Sequence, residues 1–272
     1  MSVAVWLTAI GTALAAWVGA LGAAAMAVVS HSAHGTAVRV CLEVLGLADT
    51  AAGPGRIPTT LVTVVAVGAT IWAARRTIAG VRRLWVHSGE HARSARILGT
   101  PTDRPDVVVI PAQGRAAYCV AGRPHAIVLT SAAVQSLDLR QIAAVLAHED
   151  AHIRGRHHQL LMVMRAMATA LPRLPLFPAG ASATSRLLEM CADDVAARRY
   201  GTAALVESLV SLAGVPAEPA RLGAADTAVA ARVTRLAHQA GPAQRWRHRL
   251  ALSVAIVATA IAPAMVALAC VH

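Results

Sequence analysis

The chain has 272 residues, 56% of them hydrophobic and 14% charged, with a formal net charge of +11 and no lysine at all. With a mean hydropathy of +0.56, this argues against an ordinary soluble domain and for membrane segments. Exclusive use of arginine beside abundant Ala and Gly reads as a compositional bias, so direct nucleic-acid binding is not expected. The excess charge is local, because residues 75–249 hold all but two of the arginines and all but two of the acids.

Residues 3–29 form an uncharged apolar run, longer than the ~20 residues that cross a bilayer. A cleaved signal peptide is the rival reading, but a basic leading segment is missing and the run is about twice too long. Residues 1–30 are therefore expected to hold a first transmembrane helix. The stretch 31–56 carries few charges and the breaker Gly53-Pro54-Gly55, and reads as a polar loop with one short helix near Val40 to Leu47. A second apolar run, 57–74, is closed by Arg75-Arg76, with Trp72 at the level of interfacial aromatics. Arg82, Arg83, Trp85 and Arg93 follow and mark this side as cytoplasmic, which makes the N-terminus internal and the loop 31–56 external.

From Asp106 the texture changes. Val107–Ile110, Ala117–Val120 and Ala126–Leu129 are short β-prone runs separated by turn residues, and predict a small sheet. Asp138 followed by Gln141 predicts a capping box, so a helix should begin near Asp138, with apolar residues at helical spacing through Ile153. That helix carries Ala147-His148-Glu149-Asp150-Ala151-His152, an H-E-x-x-H. His148 and His152 stand one turn apart on one face, where both imidazoles can converge on one ion. Glu149 lies beside them, where a carboxylate can take a proton from an attacking water and pass it to a leaving amine.

Residues 160–176 are apolar but interrupted by Arg165, Arg173 and two prolines, and read as a helix packed on the domain or the membrane face. Thr184 or Ser185 is expected to cap the next helix, which should run to Tyr200 with Gly201 as its stop. Two further helices are expected at about 202–214 and 224–238. Arg245 to Arg249 form a basic and aromatic anchor, and 250–271 is expected to span the membrane a third time, leaving the C-terminus outside. Cys41 and Cys270 would then share the external side, where a disulfide is allowed but two free thiols are expected.

A catalytic zinc site takes three protein ligands and one open position. Two routes to the third exist. His158 completes H-E-x-x-H-x-x-G-x-x-H through Gly155, as in metzincins, and spacing alone slightly favours it. Glu189, in Glu189-Met190-Cys191-Ala192-Asp193, is the alternative.

The pair of motifs at 147–158 and 187–194 resembles the BlaR/MecR family of membrane metallopeptidases, gluzincins related in their zinc domain to the HtpX type, whose second motif is E-x-x-A-D. The resemblance implies one catalytic zinc ion held by His148, His152 and Glu189, with Glu149 as base and Asp193 as the carboxylate orienting a ligand histidine. His157 and His158 then become polar residues at the helix exit, and Asp150 and Asp194 face solvent. Antibiotic-sensing members carry a penicillin-binding sensor domain after the last helix. None follows 250–271 here, so direct β-lactam sensing is not expected.

The expected fold is a mainly α membrane protein, with about three transmembrane helices around a gluzincin-like zinc protease domain at 75–249 and a small sheet before the active-site helix. The expected function is an integral-membrane zinc endopeptidase, working at the cytoplasmic face and signalling by cleavage of a winged-helix repressor of the BlaI/MecI type. HtpX-like quality control of membrane proteins and a non-catalytic scaffold or receptor are the alternatives. The partners expected are the lipid bilayer, a protein substrate and, as an option, a second copy of the chain. The run Ala117–Val120 offers an edge to which an extended peptide could add as a strand.

Overall fold

A computed structural model describes residues 3–29, 56–214 and 224–238, together with 246, 247, 250, 251, 253, 254 and 257. The first apolar run is a 27-residue helix, α1 (Val3–Val29), and the second opens a 43-residue helix, α2 (Arg56–Leu98). Both are long and apolar enough to cross a membrane by length and composition. Leu61, Val62, Val64 and Val65 of α2 are exposed. Trp17 of α1 donates its indole N–H to Thr70 Oγ1 at 2.8 Å and ties the two helices together. Of the third expected span, the described residues between 250 and 257 are helical. The rest of it, the loop 31–55, the anchor residues 245, 248 and 249, Cys41 and Cys270 lie outside the described residues.

The apolar run of α2 ends at Arg75-Arg76, but the helix does not. Arginine is a good helix former, and the chain meets no terminating signal until Gly99, whose N–H bonds Ala95 O at 2.9 Å. Gly80, inside the helix, permits close approach to the next layer: a Cβ there would stand 3.2 Å from the Cβ of Ala166. One continuous rod thus joins the apolar segment to the domain that follows.

The sheet has four strands, β1 (Thr100–Pro101), β2 (Val107–Ile110), β3 (Ala117–Val120) and β4 (Ala126–Thr130), in the order β1-β2-β4-β3. The three longer strands fall where the β-prone runs predict. β4 is central and wholly buried, parallel to β2 and antiparallel to β3. Side chains alternate across the sheet. Val107, Cys119, Ile127 and Leu129 pack with Leu137 and Val145, whereas Val108, Val120 and Val128 pack with Ala92 and Ala95 of α2. The β3–β4 turn sits so close to α2 that a Cβ on Gly122 would lie 2.7 Å from the Cβ of Ala92.

After a short helix, α3 (Ser131–Ser136), comes α4 (Leu139–Arg154), opened by the expected capping box: Asp138 accepts from Gln141 N, and Gln141 Oε1 accepts from Asp138 N. α4 stops at Gly155, and Arg156 turns the chain through the left-handed region with φ 51°. α5 (His157–Ala170) packs on α2 and α6, as expected for the apolar stretch after the metal helix, but it ends at Ala170 and not near 176, because Pro172 and Pro175 break the run.

α6 (Leu176–Tyr200) corrects one expectation, for it starts eight residues before Thr184, which is fully buried inside it. The early start is allowed because Pro178 falls in the first turn, where no backbone donor is needed. It is stabilised by burial of Phe177 and Ala181 with Ile10 of α1 and Met164 of α5. Gly201 stops α6 as expected, and α7 (Thr202–Ala213) and α8 (Ala224–Ala237) complete the described fold.

Candidate metal centre

α4 delivers the first two donors. His148 and His152 are buried, and their Nε2 atoms stand 3.1 Å apart. α6 delivers the third: Glu189 Oε2 lies 3.4 Å from His148 Nε2, and Oε1 lies 3.6 Å from His152 Nε2. Donors about 2.1 Å from a tetrahedral zinc are separated from one another by ~3.4 Å, and one donor atom from each of the three residues lies within 4.8 Å of the others, close enough to surround one ion. Two imidazole nitrogens and a carboxylate converging in a buried place fit a cation, and His148, His152 and Glu189 are the group among the described residues that could hold one.

Asp193 lies behind this cluster, one turn after Glu189 and fully buried. His148 Nδ1 approaches Asp193 Oδ1 to 3.1 Å, a charge contact without an in-line hydrogen bond. Nothing in the sequence points to the next member, Arg232 of α8. Its guanidinium forks onto Asp193, Nε to Oδ2 at 2.8 Å and Nη2 to Oδ1 at 2.5 Å, while Nη1 stands 3.3 Å from Glu189 Oε2. This is the bidentate geometry that suits a buried carboxylate.

Glu149 points the other way, toward β3. Burial pushes its carboxyl pKa up, against the opposing pull of His148 and of the Cys119 thiol and backbone N–H. A carboxylate tuned upward is suited to accept and return a proton near neutral pH. Burial also pushes the Cys119 thiol up, so it stays protonated. Burial opposes charge on His148, but Asp193 and Glu189 outweigh it and hold the imidazole at about 9, whereas burial takes His152 down to about 4. Burial disfavours the charged form of Asp193 too, yet Arg232 and His148 prevail and hold it at about 2. Glu189 is likewise held down, against its burial, by the two histidines and Arg232.

His157 and His158 are not merely polar residues at a helix exit. The turn at Gly155 folds His157 back so that its Nδ1 meets His152 Nδ1 at 3.0 Å; a side chain on Gly155 would collide with that ring. His158 faces β3 instead, with Nε2 3.0 Å from Cys119 Sγ and its ring 6.4 Å from that of His152. It therefore stands apart from the three-donor cluster, and the metzincin-like route through His158 is not the one the fold builds. Burial, and then His157 and Arg165, lower its pKa.

Two flanking acids differ. Asp194 is partly exposed beside Arg235, but Asp150 corrects the solvent-facing expectation, because Arg104 Nη2 at 3.0 Å and Arg154 Nη2 at 3.1 Å cover it.

A cleft of about 730 Å³ runs through the site. β3 is an edge strand of the sheet, as the sequence suggests. Thr130 N donates to Ala116 O across the β3–β4 pair. By the alternation of antiparallel ladders, Tyr118 and Val120 turn their backbone groups toward β4, and Ala117, Cys119 and Ala121 turn theirs toward the cleft. Consistently, Ser88 Oγ of α2 reaches Ala121 O at 2.6 Å. The outer edge of β3, the Glu149 carboxylate and the metal-holding cluster thus share one cleft, with Ser88 on Ala121 O and Glu149 on the Cys119 N–H.

A family model described as Peptidase family M48 matches residues 82–255, a span that includes all of these residues. Comparison with curated proteins and with solved structures returned no match.

Proposed function

The chain belongs to peptidase family M48, whose members are zinc metalloproteases, and from that premise we propose that it is an integral-membrane endopeptidase whose domain at 75–249 works at the cytoplasmic face. The observation that carries the chemical part is the convergence of His148, His152 and Glu189 beside the buried Glu149 and the open edge of β3. Zinc would be held by His148, His152 and Glu189, and when bound it would supply Lewis-acid polarisation of the scissile carbonyl and of the attacking water. An extended peptide pairs with the cleft-facing backbone groups of Ala117 and with the Cys119 carbonyl, beside the Glu149 carboxylate that the Cys119 N–H holds. The Glu149 carboxylate takes the water's proton and passes it to the leaving amine nitrogen. Asp193, itself held by Arg232, orients His148.

The deciding chemical experiment pairs zinc analysis with a protease assay on wild type and Glu149→Gln. The variant should keep its zinc and lose at least about 100-fold in turnover, the size of a general-base contribution. Equal activity in the two proteins would remove Glu149 from the mechanism.

For the client, the paired motifs support signalling through cleavage of a winged-helix repressor. A second reading, quality control of membrane proteins, is favoured by α2: Leu84, His87, Ser88 and His91 line the cleft on the same continuous helix whose first half is apolar. Co-expression of wild type or Glu149→Gln with a repressor from the same operon separates them. A discrete, zinc-dependent repressor fragment supports signalling. An intact repressor, with misfolded membrane proteins accumulating in the variant, supports quality control.

A further inference from the structure

The cleft is chemically lopsided. On the side walled by α7 and α8 it is apolar, lined by Leu205, Leu209, Leu212 and Val229, and Arg115 at its margin donates to Ser211 O at 3.0 Å. On the side walled by α2 and α5 it carries His87, His91, His158 and Arg165, and its lining there includes no acid. The acids of the cleft, Glu149 and Glu189, both sit at the metal-holding cluster.

The other cations around the site are spoken for. Arg232 is held by Asp193 and Glu189, Arg104 by Asp106 and Asp150, Arg154 by Asp150, and Arg235 by Asp194. Arg165 is exposed in the cleft, and among the described residues no carboxylate pairs with it. It is close enough to act on the charge of His158. Arg165 and the outer edge of β3 line the same cleft, so a side chain of a chain extended along that edge can come within its reach.

We propose that Arg165 is a specificity-determining residue that recognises an Asp or Glu side chain of the substrate on the α2–α5 side of the metal, a reading that rests on the protease assignment above. A guanidinium matches a carboxylate in both charge and fork geometry. In a solvent-open cleft the pairing is modest, and so is the repulsion of a lysine at the same position.

The test uses the zinc-loaded full-length protein in detergent and quenched peptides carrying Glu, Gln or Lys at each of three positions on either side of one cleavage site. At one position wild type should rank Glu over Gln over Lys in kcat/KM, with about tenfold between the extremes. Arg165→Lys should keep the order and Arg165→Glu should reverse it, whereas Arg115→Glu should not. The proposal is overturned if wild type fails to distinguish Glu from Lys at every position, or if Arg165→Glu keeps the wild-type order. It is also overturned if Arg115→Glu is the variant that reverses the order. Arg165-dependent retention of anionic phospholipid, with no change in peptide ranking, would assign the arginine to lipid instead. Cleavage of no peptide by the zinc-loaded wild type would bring down the protease reading and this proposal with it, an outcome separate from unselective cleavage.

Discussion

Arg232→Met removes the cation that neutralises a carboxylate with no access to water. The Asp193 side chain is 0% exposed and that of Arg232 16%, and the guanidinium makes two contacts to Asp193 and one to Glu189. Removing one partner of a buried pair leaves the other charge short of compensation, here with His148 alone beside Asp193, at a cost of roughly 3 kcal/mol. For a domain of this size each kcal/mol lowers the Tm by about 2–4 °C, so the variant should melt about 6–12 °C below wild type. The measurement is thermal unfolding of both proteins in chelator, so that changes in zinc affinity do not enter. The double variant Asp193→Asn with Arg232→Met, which removes both members of the buried pair and leaves only the partly exposed Glu189 without its arginine, should recover most of the loss. If Arg232→Met melted within about 2 °C of wild type, or the double variant were no better than the single, the electrostatic reasoning would fail for this pair.

Glu189→Ala should lose zinc and activity together, while His158→Ala should keep zinc, because His158 faces Cys119 and not the donor cluster; metal analysis of the two purified variants checks it, and the reverse pattern would restore the metzincin-like assignment. A pH effect follows from Asp106, whose hydrogen bonds to Arg104 hold its pKa below the usual 3.8 against a smaller effect of burial. A depressed folded-state pKa contributes stability that is fully present above the unfolded value and lost as the pH falls through the folded one. The Tm gap between zinc-free wild type and Arg104→Met should therefore be widest near neutrality, on the order of 1 kcal/mol for so exposed a pair, and close below about pH 4; a gap that widened in acid would contradict the assignment.

What the sequence makes legible here is local. The Asp138–Gln141 box, the strand runs and the one-turn spacing of His148 and His152 each depend on residues a few positions apart, and each forms where expected. Glu189 and Asp193 became legible through the second motif, since nothing local distinguishes them from a surface charge pair. Arg232 was invisible because it meets Asp193 from 39 residues away, and Asp150 was misread because Arg104 covers it from 46 residues away. The capping signal at Thr184 failed for a related reason: burial of Phe177 and Ala181 against α1 and α5 makes the preceding turns helical, and a cap is worth only about 1 kcal/mol.

Alanine content shows how far composition can mislead about a single site. Read over the whole chain, it is a bias without function. Yet Ala144 and Ala147 of α4 and Ala196 of α6 are buried together in one cluster, and Ala192, three residues past Glu189, is fully buried as well. Helix axes approach to the short end of the ~8–10 Å range only when the contact residues are small. Glu189 has a short reach, and its oxygens come within 3.4 and 3.6 Å of the two histidine nitrogens. Larger side chains at Ala147 or Ala196 would wedge α6 away from α4 and carry the third donor out of range, while leaving H-E-x-x-H intact. The metal-holding cluster therefore rests on two different kinds of information: a spacing within one helix, which any reader of the sequence can find, and a pattern of absent side chains between two helices, which acquires meaning only once α4 and α6 are known to touch.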